Sequence, residues 1–486
     1  MKAGPRNETP AMTGAGGTPE HGAFAPVTPE LIASLSSICG AANVLSDPDS
    51  KEAYGHDETE DLSFIPEVVV RPAGAPEIAE VLSLAGRHRV PVTPRAGGTG
   101  LSGGALPVHG GIILSLERLN RILEIDTANL QAVAESGVIT QNFQEAVEQQ
   151  GLLYPPDPAS RGSCTLGGNL AECAGGPRAV KYGVTKDYVL GLEAVLPTGA
   201  IINAGGRVLK NVSGYNLTQL IIGSEGTLAV ITKIFFRLIP LPRLRHVLLV
   251  PFDSLEAAAE SVAGIFQAGI TPSALEFMER AAVRAAEERQ GKKFPNSDAG
   301  AQLLVEVDGN NEEALAADIE AIARVVGEHG AADVLLADDR QKVADVWALR
   351  RGIGEAVKSI SAYREEDTVV PRARLPLLVK GVKEICSRYG ITSICYGHAG
   401  DGNVHVNLLK GDLRDDKWST GIEPAIREIF TLTVSLGGTI SGEHGIGYTQ
   451  RQYLPIALRD AEIRLMKEVK RAFDPEGILN PGKIFL

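Results

Sequence analysis

The sequence predicts an α+β protein in two main parts, and three observations carry that prediction. Residues 28–240 are Gly-rich, with short apolar runs broken by turns. Residues 241–430 alternate apolar runs with longer Ala/Glu/Arg helices. Residues 431–486 hold a Gly-rich segment, a helix and a turn-rich tail. In the first part, runs at 67–70, 90–93, 112–116, 192–196 and 228–234 read as strands, and 75–88 and 141–150 have helical spacing. In the second, strands are expected at 247–251, 303–307, 334–336, 391–396 and 404–409, with a helix over 312–328. Hairpins among these units predict an antiparallel sheet with helices on one face. The last part contributes a helix over 461–473. No repeat of solenoid period is visible.

Composition bounds the function. A chain of 486 residues suffices for two or three domains. Its net charge of −13 argues against a nucleic-acid partner and against anionic lipid, and 5% aromatics leave little for base stacking. No apolar run approaches the ~20 residues that span a bilayer. Residues 1–27, rich in Gly, Pro, Thr and Ala, lack the pattern of a secretory signal and read as a disordered leader. Five scattered cysteines without a CxxC pair exclude a cysteine-ligated iron–sulfur cluster within this chain and fit a reducing, cytoplasmic location.

Residues 94–104 read PRAGGTGLSGG, with five glycines within 97–104. Gly98, Gly100 and Gly103 satisfy G-x-G-x-x-G, but a dinucleotide site of that kind needs a helix to open in the loop. Leu106-Pro107 and a β-like run follow instead, so a Rossmann nicotinamide site is rejected. A glycine loop between strands can still bind phosphate through consecutive backbone N–H groups. Further clusters follow at 163–169, 174–176 and 223–227, the second cluster entered through Pro155-Pro156-Asp157-Pro158. Such loops in one domain imply a long, polar, phosphate-bearing ligand.

Two other Gly-rich segments concentrate histidine. GHAGDGNVH (397–405) and SGEHG (441–445) hold three of the nine histidines, His398, His405 and His444, with Glu443 beside the last. Strand alternation puts His405 and Asn407 on one face and Val404 and Val406 on the other. Two imidazoles and a carboxylate are a common ligand set for a catalytic divalent ion.

These motifs resemble a known family. PRAGGTGLSGG, the PPDP…CTLGGN…AGG…YG block and IIGSEGTL look like the FAD domain of vanillyl-alcohol-oxidase-type flavoproteins. GHAGDGNVH, SGEHGIG and NPGKIF resemble the branch of glycolate oxidase flavin subunits, D-lactate dehydrogenases and D-2-hydroxyglutarate dehydrogenases. The resemblance spans about residues 28–486. It implies a two-part FAD-binding domain at 28–240, an α+β substrate (cap) domain with an antiparallel sheet at 241–430, and a segment at 431–486 that carries metal and base residues back to the FAD domain.

Carried over residue by residue, the resemblance implies that Pro94, Arg95, Ala96, Gly97, Gly98, Thr99, Gly100, Ser102 and Gly103 hold the pyrophosphate. Cys164, Thr165, Gly167, Gly168, Asn169, Ala174, Gly175 and Gly176 would line the ribityl and isoalloxazine parts, with Pro158, Tyr182 and Gly183 of the same block as further contacts. Glu225, Gly226 and Ile231 would border the adenosine, and Asn480 and Lys483 would return to the flavin. Where several relatives have Asn, this chain has Cys173; the branch holds FAD non-covalently. His398, His405 and Glu443 would bind one divalent metal (zinc, iron or manganese), His444 would be the base, and Arg350, Asn407 and His444 would contact substrate.

The implied reaction oxidises a small D-2-hydroxy acid to the 2-oxo acid, the hydroxyl losing its proton as C2 delivers hydride to flavin N5. Hydroxyglutarate enzymes carry a lysine for the distal carboxylate where this chain reads Arg364-Glu365-Glu366-Asp367. Glu365 would repel a second carboxylate, which favours D-lactate or glycolate, and Arg372 is a further candidate contact. The rivals are D-2-hydroxyglutarate oxidation, a non-catalytic FAD electron-transfer subunit, and a metallohydrolase that leaves the glycine loops unexplained. An iron–sulfur or other electron-transfer partner, a homo-oligomer or a larger complex, and a peripheral inner-membrane association through a partner are the expected settings.

Overall fold

The computed structural model describes residues 24–331, 333–337 and 339–486, so most of the expected leader lies outside the described residues. Its last residues do not behave as a leader. The Ala25 N–H donates to Arg89 O (3.0 Å), the Val27 N–H donates to Glu67 Oε2 (2.7 Å), and both side chains pack on the first core.

That core covers a four-stranded sheet in the order Val44–Leu45, Val68–Val70, Ile112–Ser115, Val92–Arg95. The last three run parallel, and Val68–Val70 and Val92–Arg95 are joined by helix Ala75–His88, the crossover that parallel strands require. Ile78, Val81, Leu82 and Ala85 form its buried stripe, Pro76 sits in its first turn, and Arg87 and His88 favour its negative end. No helix forms between Val92–Arg95 and Ile112–Ser115, as the rejected nicotinamide motif would need.

A second sheet of five antiparallel strands has the order Ile122–Asp126, Gln131–Glu135, Val230–Arg237, Val189–Val195, Ile201–Gly205. Phe143, Tyr154 and Phe236 pack in its core with ring centroids 4.7–5.3 Å apart. One glycine cluster expected as a loop is helix Leu166–Glu172. Its glycines serve close approach: a Cβ on Gly167 would lie 2.4 Å from Ser136 Cβ.

The cap is a seven-stranded antiparallel sheet in the order Leu335–Ala337, Leu244–Phe252, Ala301–Gly309, Ala274–Glu279, Thr392–His398, Asn403–Leu409, Tyr363–Val369. Helices cover both faces, not one as expected. Leu255–Gln267, Glu312–Glu328, Leu375–Tyr389 and Asp415–Ser435 pack on one side against Leu248, Phe277, Val305 and Val406. Arg280–Gln290, Arg340–Arg351 and Ile353–Lys358 pack on the other against Leu249, Met278, Leu304 and Tyr396. The second set covers only part of its face, and the remainder carries the His/Glu cluster. The boundary expected at 431 falls inside helix Asp415–Ser435.

Two chain segments stitch the parts together. Thr439 bridges to Val369 in the cap, while the Tyr448 N–H donates to Ser102 O (2.7 Å) in the first glycine loop. The tail then pairs with the first sheet, where the Val92 N–H donates to Ile478 O and the Asn480 N–H to Val92 O.

The packing at Gly167 gives a test of this arrangement. Gly167→Ala must push the helix off Ser136, at about 1–3 kcal/mol for overpacking. A lower thermal midpoint is expected; a wild-type midpoint would refute the contact.

Candidate functional site

One cavity of about 570 Å³, a size typical of small-molecule and cofactor sites, runs from the glycine loops to the cap sheet. Its long arm is lined by Pro94, Ala96, Gly97, Gly98, Thr99, Gly100, Pro158, Cys164, Thr165, Gly167, Gly168, Asn169, Ala174, Glu225, Gly226 and Ile231. Arg350, His398, His405, Glu443 and His444 close its cap end. The first two glycine clusters touch, since a Cβ on Gly97 would come within 2.8 Å of Ser163 O, whereas one on Gly100 would meet nothing within 4 Å. Thr165 Oγ1 is a buried polar atom with no partner among the described residues. An open glycine backbone and an unsatisfied hydroxyl on a long cleft suit a polar dinucleotide-like cofactor.

Other residues expected at the cofactor make contacts within the chain. Arg95 folds back over Gly98 toward the Tyr54 ring, where a Cβ on Gly98 would collide with its guanidinium. Ser102 and Gly103 face away from the cavity, Ser102 O receiving the Tyr448 N–H and the Gly103 N–H reaching Thr59 Oγ1 (2.7 Å). Gly175 lets the backbone lie against Glu443, Gly176 against Asp157, and Gly183 against the Asp187 carboxylate. The Tyr182 hydroxyl donates to Asp308 Oδ2 (2.8 Å) and ties this block to the cap. Asn480 Nδ2 donates to Gly104 O (3.0 Å) and Glu225 O (2.8 Å), and Lys483 Nζ donates to Leu106 O (2.6 Å). Burial takes the Lys483 ammonium down to about 7. Asn407 is buried on the His405 face but does not line the cavity. Arg372 stacks on Phe266 (3.7 Å), outside the site, and Cys173 also lies off the cavity wall.

At the cap end, strand register assembles the cluster. Asn403–Leu409 pairs with both Thr392–His398 and Tyr363–Val369, setting His405 opposite Tyr396 on one side and Asp367 on the other. Glu443 Oε1 lies 3.5 Å from His398 Nε2, 3.5 Å from His405 Nε2 and 3.8 Å from His444 Nε2. Donor atoms about 2.1 Å from a tetrahedral ion are themselves about 3.4 Å apart, close to the separations of Glu443 from His398 and His405. Burial would raise the Glu443 carboxyl, but His398 and the other imidazoles bring it down to about 2; burial, reinforced by His444, takes His405 down to about 4. Anionic Glu443 and neutral His405 are the ligand-competent forms.

Two carboxylates that the sequence reading did not single out hold this cluster. Glu276, fully buried on Ala274–Glu279, lies 2.8 and 2.9 Å from His398 Nδ1 and 2.5 Å from Arg350 Nη2. It turns His398 Nε2 toward Glu443, the arrangement that second-layer carboxylates give metal-bound histidines. Burial pushes Glu276 up, but His398 and Arg350 overturn that and hold it low; in return burial lowers His398 and Glu276 carries it well above its usual value. Asp367 Oδ2 accepts the N–H groups of Gly442 (2.8 Å), Glu443 (2.7 Å) and His444 (2.8 Å) and the Ser441 hydroxyl (3.1 Å). Its carboxyl stays below the usual range although burial opposes it, mainly through His444 and His405. The sequence signals were weak: a lone Glu in an apolar strand, and one acid within an acidic run.

Glu365, His405 and His444 form a second trio with close donor atoms. Glu365 is already committed to Lys358 (3.3 Å), and among the described residues no carboxylate bonds the His444 ring as Glu276 bonds that of His398, so the first trio is the better cation site. Arg350, 6% exposed, lies 5.4 Å from the Tyr396 ring centroid with its guanidinium at the cavity wall. His444 stacks on His405 (centroids 5.2 Å, planes 16° apart), and although burial lowers it, Asp367 and Glu365 raise its pKa.

The Asp367 anchor predicts that Asp367→Ala loosens the 441–445 turn, with Asp367→Asn intermediate. Amide hydrogen exchange at residues 442–444 should speed up, and wild-type protection in Asp367→Ala would contradict the anchoring role.

Comparison with known proteins identifies the family. Residues 66–205 match the FAD binding domain family, and residues 241–484 match the FAD linked oxidases, C-terminal domain. The glycolate oxidase subunit GlcD of Bacillus subtilis (strain 168) is 39% identical over 94% of this chain and 97% of its own length. A D-lactate dehydrogenase of Anaerostipes hadrus is 40% identical over 94% and 98%, and a D-2-hydroxyglutarate dehydrogenase of Stutzerimonas stutzeri (strain A1501) is 33% identical over 94% and 99%. Among solved structures, p-cresol methylhydroxylase with substrate bound superposes with a TM-score of 0.77 at 17% identity, covering 93% of this chain and 96% of that one. That likeness speaks for the fold alone. The chain therefore belongs to the FAD-linked oxidases, in the group of glycolate oxidase GlcD subunits, D-lactate dehydrogenases and D-2-hydroxyglutarate dehydrogenases.

Proposed function

We propose that this FAD-linked oxidoreductase is a metal-dependent dehydrogenase of small D-2-hydroxy monocarboxylates, D-lactate or glycolate, yielding the 2-oxo acid. The observation that carries the reading is the convergence of Glu443 with His398, His405 and His444 beside Arg350, at the cap end of the flavin cavity. The four carboxylates Glu276, Glu365, Asp367 and Glu443 exceed Arg350 and Lys358 by two charges, which protons on His398 and His444, both raised in pKa, or in their place a divalent cation, would balance. His398, His405 and Glu443 would hold it.

Bound FAD supplies the two-electron acceptor, and a bound divalent ion supplies Lewis acidity toward the substrate oxygens. The chain's own residues do the rest. Arg350 binds the carboxylate, its guanidinium oriented by Glu276 and by Tyr396. His444 Nε2 takes the hydroxyl proton, and its stacking on His405 fixes the ring plane. Glu365 at the cavity wall disfavours a second carboxylate, which supports lactate or glycolate over hydroxyglutarate. Electrons would then pass to an iron–sulfur or other electron-transfer partner. The subunit designation of the Bacillus relative supports such an assembly, and no helix of the described residues is long and apolar enough to cross a membrane.

Anaerobic mixing with D-lactate, glycolate, L-lactate and D-2-hydroxyglutarate, followed by flavin absorbance, tests the substrate. D-lactate or glycolate should bleach the flavin fastest, and no bleaching by any of the four would refute the reading. His405→Ala and Glu443→Ala should each lose metal and activity yet keep FAD; stoichiometric metal in both would remove the ligand assignment. His444→Ala should retain FAD and metal but reduce flavin roughly 10²–10⁴-fold more slowly, the usual worth of a general base.

A further inference from the structure

A cation that the proposed reaction does not use stands at the cavity wall. Arg350, Gly354 and Lys358 recur every fourth residue along helices Arg340–Arg351 and Ile353–Lys358, and all three line the cavity. Gly354 leaves the stretch between the two cations free of side chain; a Cβ there would already stand 3.3 Å from Tyr396 Oη. At the far end of this stripe Lys358 Nζ lies 3.3 Å from Glu365 Oε2, with both side chains largely buried and the ammonium 5.8 Å from the Tyr363 ring centroid.

Resting on the dehydrogenase reading, we propose that Lys358 is a specificity-determining residue: a latent carboxylate site at the distal end of the substrate cavity, kept closed by its ion pair with Glu365. On this reading a monocarboxylate anchored at Arg350 ends short of Lys358, and a 2-hydroxy dicarboxylate extends along the stripe to meet the Glu365 anion with the Lys358 ammonium already engaged. Removing that negative charge without changing the shape leaves three N–H donors facing the space where a second carboxylate arrives. Glu60 and Glu355 also face Lys358 and keep it protonated together with Glu365, but burial raises the Glu60 carboxyl and weakens it as a counter-charge. The pair therefore sets which acids fit, and the chemistry at His444 is left to other groups.

The test compares Glu365→Gln, Lys358→Met and the double variant as FAD-loaded proteins. Glu365 also lies 3.7 Å from His405 Nδ1, so absolute rates would mix two effects, and the readout is a ratio of binding constants. Pyruvate and 2-oxoglutarate, the products of a mono- and a dicarboxylate, are titrated against the oxidised enzyme by flavin absorbance. Relative to wild type, Glu365→Gln is expected to shift the Kd ratio in favour of 2-oxoglutarate by roughly tenfold, and adding Lys358→Met should abolish the shift. Lys358→Met alone, which bares Glu365, should move the ratio the other way, and it serves if Glu365→Gln fails to retain FAD. An unshifted ratio in Glu365→Gln, a gain that survives in the double variant, or an unchanged ratio in Lys358→Met each overturns the proposal. Because product binding is read without turnover, a failure of every hydroxy acid to bleach the flavin would refute the dehydrogenase reading separately.

Discussion

The site hangs on one carboxylate oxygen. Asp367 Oδ2 collects three consecutive backbone N–H groups, those of Gly442, Glu443 and His444, and so fixes a glycine-rich turn that has no regular structure of its own. A turn with two buried charged side chains would otherwise carry both conformational freedom and unsatisfied amides, each costly. Glycine at 442 is needed because a Cβ there would stand 2.6 Å from Asn403 Nδ2, and that amide in turn donates to Asp367 Oδ1. From the opposite side, Glu225 accepts the N–H groups of Ile446 (2.8 Å) and Gly447 (2.6 Å). The turn is thus gripped by the cap through Asp367 and by the FAD domain through Glu225. Glu225 also lines the long cavity, so one residue borders the cofactor space and positions the turn with its carboxylate.

Burying so much charge is tolerable because opposite charges face one another at 2.5–3.9 Å, although His405 Nδ1, Glu365 Oε2 and Arg350 Nε have no hydrogen bond among the described residues. Burial alone would raise Glu276, Glu365, Asp367 and Glu443 and lower the three histidines; the actual balance is set by their mutual attraction. Glu172 lies apart from that network. Its Oε2 is buried with no hydrogen bond among the described residues, and burial beside Glu225 raises its carboxyl well above the usual range, which favours its neutral form.

Regular periodicity was legible in the sequence and inward-facing charge was not. Helices Ala75–His88 and Glu312–Glu328 match their apolar stripes end to end, and the alternation in Asn403–Leu409 correctly sends Val404, Val406 and Leu408 into the core and His405 to the site. Tyr363–Val369 escaped notice because its REED run looks like a solvated turn. In the fold, Glu365 and Asp367 point to the site and Glu366 points to Gln450 on the other face. Ala274–Glu279 escaped for the same reason: the Glu that breaks its apolar pattern is the one that orients His398. The glycine motifs located the cavity, but they could not separate glycines that face it, such as Gly100, from those that bring two backbones together, such as Gly176. That distinction depends on what lies opposite in space.

Glu276 joins the two halves of the chemistry. Its oxygens are shared between His398, on the cation side of the cluster, and Arg350, on the substrate side. A carboxylate held between two partners of opposite assignment cannot move toward one without weakening the other. Any rotation of Arg350 toward an incoming carboxylate therefore shifts charge density on His398, and occupancy at His398 alters how firmly Arg350 is held. This coupling is local and electrostatic and needs no domain motion. In the proposed reaction it would link recognition of the acid by Arg350 to that of the hydroxyl end by the His/Glu cluster through one residue, Glu276, on the central strand of the cap sheet.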